Sequence, residues 1–287
     1  TELTGCACSV EYNTTDANAL DIILSAGSTG ERETVALYTK AAANPGQVAG
    51  DAAGYYKDYL NRVINITTPD SVFNQAFRWA VISSSQFITS TPGIGTSLMA
   101  GYSSSRRGWG GGHRVSGRPG YAWYFGRDAV WSGFAFNNMG DFETTRQILK
   151  TLIAHQQVDG KIYHELTTSG FVHFDASDAT PLFVTLMAHY LRSSGDVSFA
   201  KAHIRAIHKA MDYCYSTDTD GDGLIEISNV GHGWLEGGEL FGSKTEFYLC
   251  GIWAQALRDA SYISGLCGNT RKQIQYVKDV QRVTATL

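Results

Sequence analysis

The chain has 287 residues, of which 43% are hydrophobic and 12% aromatic, and this supplies enough apolar side chains for the core of one or two globular domains. The formal net charge is only -4 and the 23 basic residues are spread along the sequence, which argues against a nucleic-acid partner. No apolar run approaches the ~18 residues of a membrane span, so we expect no membrane partner either.

The first 48 residues are predicted to be rich in β-structure. Short apolar runs at 19–24 and 34–38 are separated by Gly and Asn, as is typical of strands. Asn-Pro-Gly at 44–46 marks a turn, and residues 51–64 then have the amphipathic spacing of a linker helix. The predicted organisation is a β-rich segment at 1–48, a linker helix within 49–69 and a helical domain at 70–287.

From residue 70 onward the spacing of apolar residues changes to three and four, which predicts helices. Long loops follow one helix and short loops the next, a pattern that favours stacked helix hairpins whose long loops gather on one face. The predicted helices are 70–89, 128–139, 141–156, 178–194, 196–215, 241–264 and 270–284.

The five cysteines form no metal-binding signature, because Cys6 and Cys8 are too close together and no paired histidines follow at zinc-finger spacing. Cys214 and Cys250 lie in apolar helical patterns and are predicted to be buried small hydrophobic residues. We therefore predict neither a metal nor a cofactor. The high content of Ser, Thr, Gly and Asn, with few lysines, favours an extracytoplasmic location.

Two glutamates follow a tryptophan among the glycines of residues 231–239, where Trp234 precedes Glu236 and Glu239. Cleavage of a glycosidic bond needs a carboxylic acid that protonates the leaving oxygen, and an apolar wall helps such an acid to keep its proton. Glu236 is therefore the first candidate for a general acid. The alternative is that both glutamates are solvated loop residues around a core tryptophan.

An Arg-Asp pair follows an aromatic-rich stretch at 121–131. Arg127 and Asp128 offer donors and an acceptor for sugar hydroxyls, and Trp123 could stack on a sugar face. The alternative is a local salt bridge in which Asp128 caps a helix.

A third segment carries His164, Glu165 and Asp178. His164, next to Glu165, could hydrogen-bond a sugar hydroxyl. Asp178 could be a helix cap or a ligand-binding residue, since Pro181 in the first helical turn completes a helix-start signal without any function.

The sequence Asp-Thr-Asp-Gly-Asp-Gly at 218–223 has the oxygen donors of the first half of a calcium-binding EF-hand loop. The position that should supply a bidentate carboxylate is Asn229, which cannot do so. The favoured interpretation is a turn that orients Trp234 and Glu236, and a calcium site is the alternative.

The order of these motifs resembles that of glucoamylases and glycogen-debranching glycosidases. The best matches are 123–128 (aromatic-x-x-Gly-Arg-Asp), 175–183 and 218–236, and the resemblance covers roughly residues 70–287. It implies a mainly α-helical (α/α)6 toroid, often preceded by a β-sandwich, with the active site in the loops at one end of the ring. By this resemblance Glu236 takes the position of the general acid, Arg127 and Asp128 hold the terminal sugar, and Asp178 is a further sugar-binding partner.

The chain departs from this family because it supplies only the first half to two thirds of such a toroid. No residue can be carried over as the general base, which inverting glycosidases need to activate water. The expected active site is therefore incomplete. A missing C-terminal part or a second chain would complete it, or the protein has kept only binding.

The sequence as a whole predicts a glycosidase that hydrolyses α-glucosidic bonds from the end of an oligo- or polysaccharide, with inversion. One alternative is a non-catalytic carbohydrate-binding or scaffold protein of the same fold. Another is an inverting glycoside phosphorylase, which would be favoured if the basic loop at 106–118 faced the cleft. The predicted site residues are Glu236 as catalytic acid and Trp123, Arg127, Asp128, His164, Glu165, Asp178, Trp234 and Glu239 as substrate-binding residues.

Overall fold

A computed structural model of the chain describes residues 31–101, 121–228, 230–234 and 244–287. Helices dominate these residues, which confirms the mainly α-helical class, and the strands are few and short. The chain divides into two compact units, residues 1–59 and 60–287.

The helices of the described residues are numbered in chain order. They are α1 (Glu31–Ala43), α2 (Pro45–Arg62), α3 (Ser71–Ser85), α4 (Gly126–Asn138), α5 (Phe142–Ala154), α6 (Ala179–Ser194), α7 (Val197–Ser216), α8 (Phe247–Leu266) and α9 (Thr270–Thr286).

The described part of the first unit is helical, not β. Residues 34–38, predicted to be a strand, lie inside α1, so that prediction is wrong. Helix α1 as a whole contains Ala, Leu, Glu and Lys, whose helix propensity outweighs the short apolar run at 34–38. The other predicted strand, 19–24, lies outside the described residues.

The Asn-Pro-Gly sequence at 44–46 begins a helix instead of forming a free turn. The side chain of Asn44 accepts a hydrogen bond from the backbone N–H of Gln47 at 3.1 Å, and Pro45 occupies the first position of α2. Both are helix-start features. The predicted linker helix therefore exists but begins earlier than residue 51, and the division between the units falls within it.

The second unit is built from three helix hairpins, α4–α5, α6–α7 and α8–α9. Helices α4, α6 and α8 pack side by side and form what we call the front layer; α5, α7 and α9 pack behind them and form the back layer. Short connections at 139–141, 195–196 and 267–269 join the two helices of each hairpin, whereas long connections lead to the next front-layer helix. This is the loop pattern that the sequence predicted.

The starts of the helices differ between the two layers. Each back-layer helix begins with a side-chain cap: Asp141 accepts from the N–H of Thr144, Asp196 from that of Phe199, and Asn269 from that of Lys272. The residues at the N-cap positions of the front-layer helices are Phe125, Asp178 and Glu246. None of their side chains makes a capping hydrogen bond within the described residues. The two carboxylates among them are thus available for other interactions.

Two small antiparallel sheets accompany the helices. Strands β1 (Ile88–Thr91) and β2 (Gly95–Leu98) form a hairpin. Strands β3 (Tyr124–Phe125), β4 (Glu165–Leu166) and β5 (Val172–His173) form a three-stranded sheet in that order. In the second sheet, Phe125 pairs with Glu165 directly before the start of α4.

The predicted helices of the second unit correspond to α3 through α9, and most of their bounds agree within a few residues. Helix α8 begins at Phe247 instead of 241, and residues 241–243 lie outside the described part. Cys214 and Cys250 are buried and free, as predicted. None of the helices in the described ranges is long and apolar enough to cross a membrane.

Candidate functional site

A cavity of about 480 Å³ lies at the end of the second unit where the front-layer helices begin. The sheet β3-β4-β5 and the long loops also contribute to its wall. It is lined by Ala100, Tyr121, Phe125, Arg127, Asp128, His164, Glu165, Asp175, His232 and Trp234.

A buried ion pair holds the first turns of the front-layer helices together. Arg127 Nε donates to Asp178 Oδ2 at 2.6 Å, and the side chain of Asp178 is fully buried. An Arg127 Nη donates to the backbone oxygen of Gly233 at 2.7 Å. The hydroxyl of Tyr248 donates to the same Asp178 oxygen at 3.1 Å. We call Arg127, Asp178, Gly233 and Tyr248 the arginine network.

Asp178 therefore does not cap α6, which was one of the two interpretations of its position. Its carboxylate binds Arg127 and Tyr248 instead, and it makes no side-chain hydrogen bond to the helix start. Because it is fully buried, it does not line the cavity. Its position lets it fix the guanidinium that does reach the cavity wall.

Trp234 provides the exposed aromatic surface of the site. It is 59% exposed and lines the cavity. The guanidinium carbon of Arg127 lies 5.9 Å from the centre of its ring, and Tyr248 packs against it with ring centres 6.4 Å apart. The cation near one part of the ring and the tyrosine beside it favour a defined indole orientation.

Trp123, which was expected to stack on a sugar, lies behind the cavity wall. It is only 2% exposed and stacks on Phe125 at 6.5 Å between ring centres. Phe125 itself lines the cavity. The aromatic faces at the cavity are thus those of Phe125 and Trp234, and Trp123 supports Phe125 from the core.

His164 and Asp175 form a hydrogen-bonded pair on another part of the wall. His164 Nδ1 lies 3.0 Å from Asp175 Oδ1. This hydrogen bond lowers the pKa of Asp175 to about 2, with partial burial opposing the shift. The ring of His232 lies beside that of His164, with centres 4.7 Å apart. The wall therefore carries an ionised carboxylate at neutral pH.

Glu165 lines the cavity next to this pair and is held by the neighbouring strand. Its Oε2 lies 3.2 Å from His173 Nδ1, and the two residues are register partners in the sheet. Glu165 is thus a fixed, mostly buried acidic group at the cavity wall.

Glu246 is a second buried carboxylate beside the arginine network, and the sequence analysis missed it. It is 7% exposed, and its Oε1 has no hydrogen-bond partner among the described residues. Burial raises the pKa of Glu246, and the nearby charge of Asp178 raises it further. The sequence does show a glutamate directly before the apolar run of α8. Because the helix was predicted to begin at 241, Glu246 was assigned to its interior instead of its start.

Glu246→Gln is expected to gain stability relative to the wild type as pH rises. The raised pKa means that the folded protein holds this proton more tightly than the unfolded chain, so wild-type stability is lost as pH increases above the ordinary value of 4.5. Glutamine cannot ionise and avoids this loss. Melting temperatures of both proteins between about pH 4 and about pH 8 test the expectation.

Glu246→Asp is the control for that experiment, because it keeps an ionisable carboxyl at the same helix start. It should retain the decline in stability with rising pH. A constant difference between Glu246→Gln and the wild type at every pH would show that ionisation of Glu246 does not oppose folding.

The structure brings together five of the predicted substrate-binding residues. Those that line the cavity are Arg127, Asp128, His164, Glu165 and Trp234. Trp123 and Asp178 are buried next to it. Glu236, the predicted acid, and Glu239 lie outside the described residues.

The Asp-Gly segment at 218–223 forms a turn, as predicted; its predicted role in orienting Glu236 concerns a residue outside the described part. Both oxygens of Asp218 accept backbone hydrogen bonds, from the N–H groups of Gly221 and Gly223. Asp220 pairs with Lys244, which is also bonded to Glu226. The three aspartates come close enough to share a cation, but two of them already pair with basic side chains, Asp220 with Lys244 and Asp218 with Arg282.

Comparison of the chain with protein-family models finds no matching family, and comparison with curated protein sequences finds no matching relative.

Proposed function

We propose that the chain is a glycoside hydrolase that releases sugar from the ends of α-glucosidic oligo- or polysaccharides, with inversion. The observation that carries the proposal is an exposed indole beside Arg127 at the wall of one cavity, with the guanidinium held from behind by the buried Asp178. Sugars present C–H faces that stack on aromatic rings and hydroxyls that bind charged, planar groups. The resemblance of the motif order to glucoamylases and debranching enzymes supports the same conclusion.

The hairpin layers support a toroidal fold for this enzyme. Front-layer helices whose first turns meet at the arginine network, with back-layer helices behind them, would correspond to the inner and outer rings of an (α/α)6 toroid. The described hairpins would form part of the ring.

Each group at the cavity has a separate task in the proposal. Arg127 and Asp128 hold hydroxyls of the terminal sugar, and Trp234 stacks on its ring. His164 and Glu165 offer further hydrogen-bonding atoms on another part of the wall. Glu236, two residues after the indole, is the proposed proton donor. An acid next to an aromatic wall can keep its proton at neutral pH, as this step needs.

The direct test is glucose release from maltose, isomaltose and a limit dextrin by the purified protein, with the anomer of the product followed by NMR. Inversion would give the β-anomer first. Glu236→Gln should abolish release and leave sugar affinity within about tenfold, because it removes the proton and keeps the shape. Sugar binding without any release by the wild type would identify a binding protein instead, and release that depends on phosphate would identify a phosphorylase.

Trp234→Ala is expected to weaken maltose binding by roughly tenfold, since it removes a stacking face worth about 1 kcal/mol or more. The unfolding temperature should change little, because the side chain is mostly exposed. Isothermal titration with maltose measures the affinity.

Trp79→Ala is the matched control, since Trp79 is 58% exposed on α3 and does not line the cavity. This variant should bind maltose like the wild type. Equal losses in the two variants would mean that the Trp234 ring has no specific contact with sugar.

A further inference from the structure

Two histidines and one carboxylate meet at the cavity wall: His164, Asp175 and His232. Each offers one ligand atom, and these atoms all lie within 4.8 Å of one another. Imidazole nitrogens with a carboxylate oxygen are a ligand set of zinc and related divalent metals. We infer that this cluster, which we call the His-Asp-His cluster, binds one divalent transition-metal ion of the Zn²⁺ type.

Backbone hydrogen bonds fix the relative positions of the three ligands. The N–H of His164 donates to the oxygen of His173 at 2.8 Å, and the N–H of His232 donates to the oxygen of Asp175 at 3.0 Å. The oxygen of His232 accepts from the N–H of Ser177 at 2.9 Å. The main chain around the ligands is therefore ordered in advance, and only side-chain torsions need to adjust when an ion binds.

The spacing of one pair of candidate ligand atoms is close to that of an occupied site. Ligands at zinc distances of about 2.0–2.2 Å in a tetrahedral arrangement lie about 3.3–3.6 Å from one another. His164 Nδ1 and Asp175 Oδ1 are 3.0 Å apart, which is a few tenths of an ångström less. The ion would take the place of the proton between these two atoms. A neutral His164 would keep one proton, on Nε2, and only a protonated imidazole would release a proton to solvent.

The cluster also has the open side that a bound ion requires for a fourth ligand. All three residues line the 480 Å³ cavity, where water or a ligand hydroxyl can reach the ion. A metal here would lie beside the groups proposed to bind sugar. Its binding is nevertheless independent of glycosidase activity, because no sugar is needed to form the site.

The test is calorimetric titration of the EDTA-treated, full-length protein with ZnCl₂, together with Co²⁺ absorption spectra. We expect one Zn²⁺ per chain with a micromolar or tighter dissociation constant, and visible bands from Co²⁺ in a site of low coordination number. His232→Ala and Asp175→Asn should each weaken Zn²⁺ binding by about tenfold or more. Asp175→Asn preserves the shape of the side chain, so it tests the ligand even if His232→Ala perturbs folding.

Two variants away from the cluster serve as controls. His203→Ala removes a histidine of α7, and Asp222→Asn removes one carboxylate of the exposed turn at 218–223. Both should leave Zn²⁺ affinity unchanged. The inference is overturned if no stoichiometric binding occurs, or if Asp222→Asn removes binding while the variants of the His-Asp-His cluster retain it.

Discussion

Asp178→Asn is expected to destabilise the protein by about 3 kcal/mol or more. The substitution keeps the shape of the side chain but removes the negative charge that lies 2.6 Å from the buried guanidinium of Arg127. Breaking one side of a buried ion pair costs more than the pair contributes, because a charge then remains buried and uncompensated. Urea denaturation of the variant and the wild type gives the difference in the free energy of unfolding.

Glu143→Gln is the matched control, since it makes the same change from carboxylate to amide in an exposed pair. Glu143 lies 3.7 Å from Arg146 on the surface of α5, and its side chain is mostly exposed. Loss of such a pair should cost less than about 1 kcal/mol. If Asp178→Asn were no more destabilising than Glu143→Gln, the arginine network would not be a structural element of the site.

Gly231→Ala should destabilise the protein by about 3 kcal/mol as well, through steric conflict. A Cβ atom at this position would lie 2.1 Å from the backbone oxygen of Asp175, and the φ angle of +130° disfavours any side chain. The two backbone segments would have to separate, which would also move His232 away from Asp175. We therefore expect the variant to lose Zn²⁺ binding along with stability, measured by thermal unfolding and titration.

Gly140→Ala separates the steric conflict from the effect of the positive φ angle. Gly140 also has a positive φ, +83°, but a Cβ atom there would meet no atom of the described residues within 4 Å. Only the backbone conformation is then unfavourable, at a cost of about 1–2 kcal/mol. Similar losses in the two variants would indicate that the approach of residue 231 to Asp175 is not a tight contact.

Much of the helical fold follows from apolar spacing alone. The back-layer helices combine a regular apolar face with Asp or Asn at the start, as with Asp141 before α5 and Asn269 before α9, so the sequence locates them well. The segment at 34–38 misled the prediction because a short apolar run of this length fits a strand and a helix equally well. Helix propensity over the longer segment 31–43 decides between them.

The sequence predicted which residue types form the site, but not which of those side chains are buried. Arg127 and Trp234 were found because an Arg-Asp pair and a loop tryptophan are uncommon combinations with clear binding capacity. Nothing local distinguishes an exposed tryptophan from Trp123, whose burial depends on the packing of Phe125 over it. The same limit applies to Asp178 and Glu246, which become buried neighbours only when α6 and α8 pack side by side.

The arginine network joins helix ends that are distant in sequence. Arg127 and Asp178 are 51 positions apart, and Asp178 and Tyr248 are 70 positions apart. Fraying of the first turn of α6 breaks the bonds to both α4 and α8, because Asp178 accepts from Arg127 and from Tyr248, so the three helix starts are coupled through α6. A ligand that contacts Arg127 would accordingly protect the backbone amides of α4, α6 and α8 from hydrogen exchange at the same time.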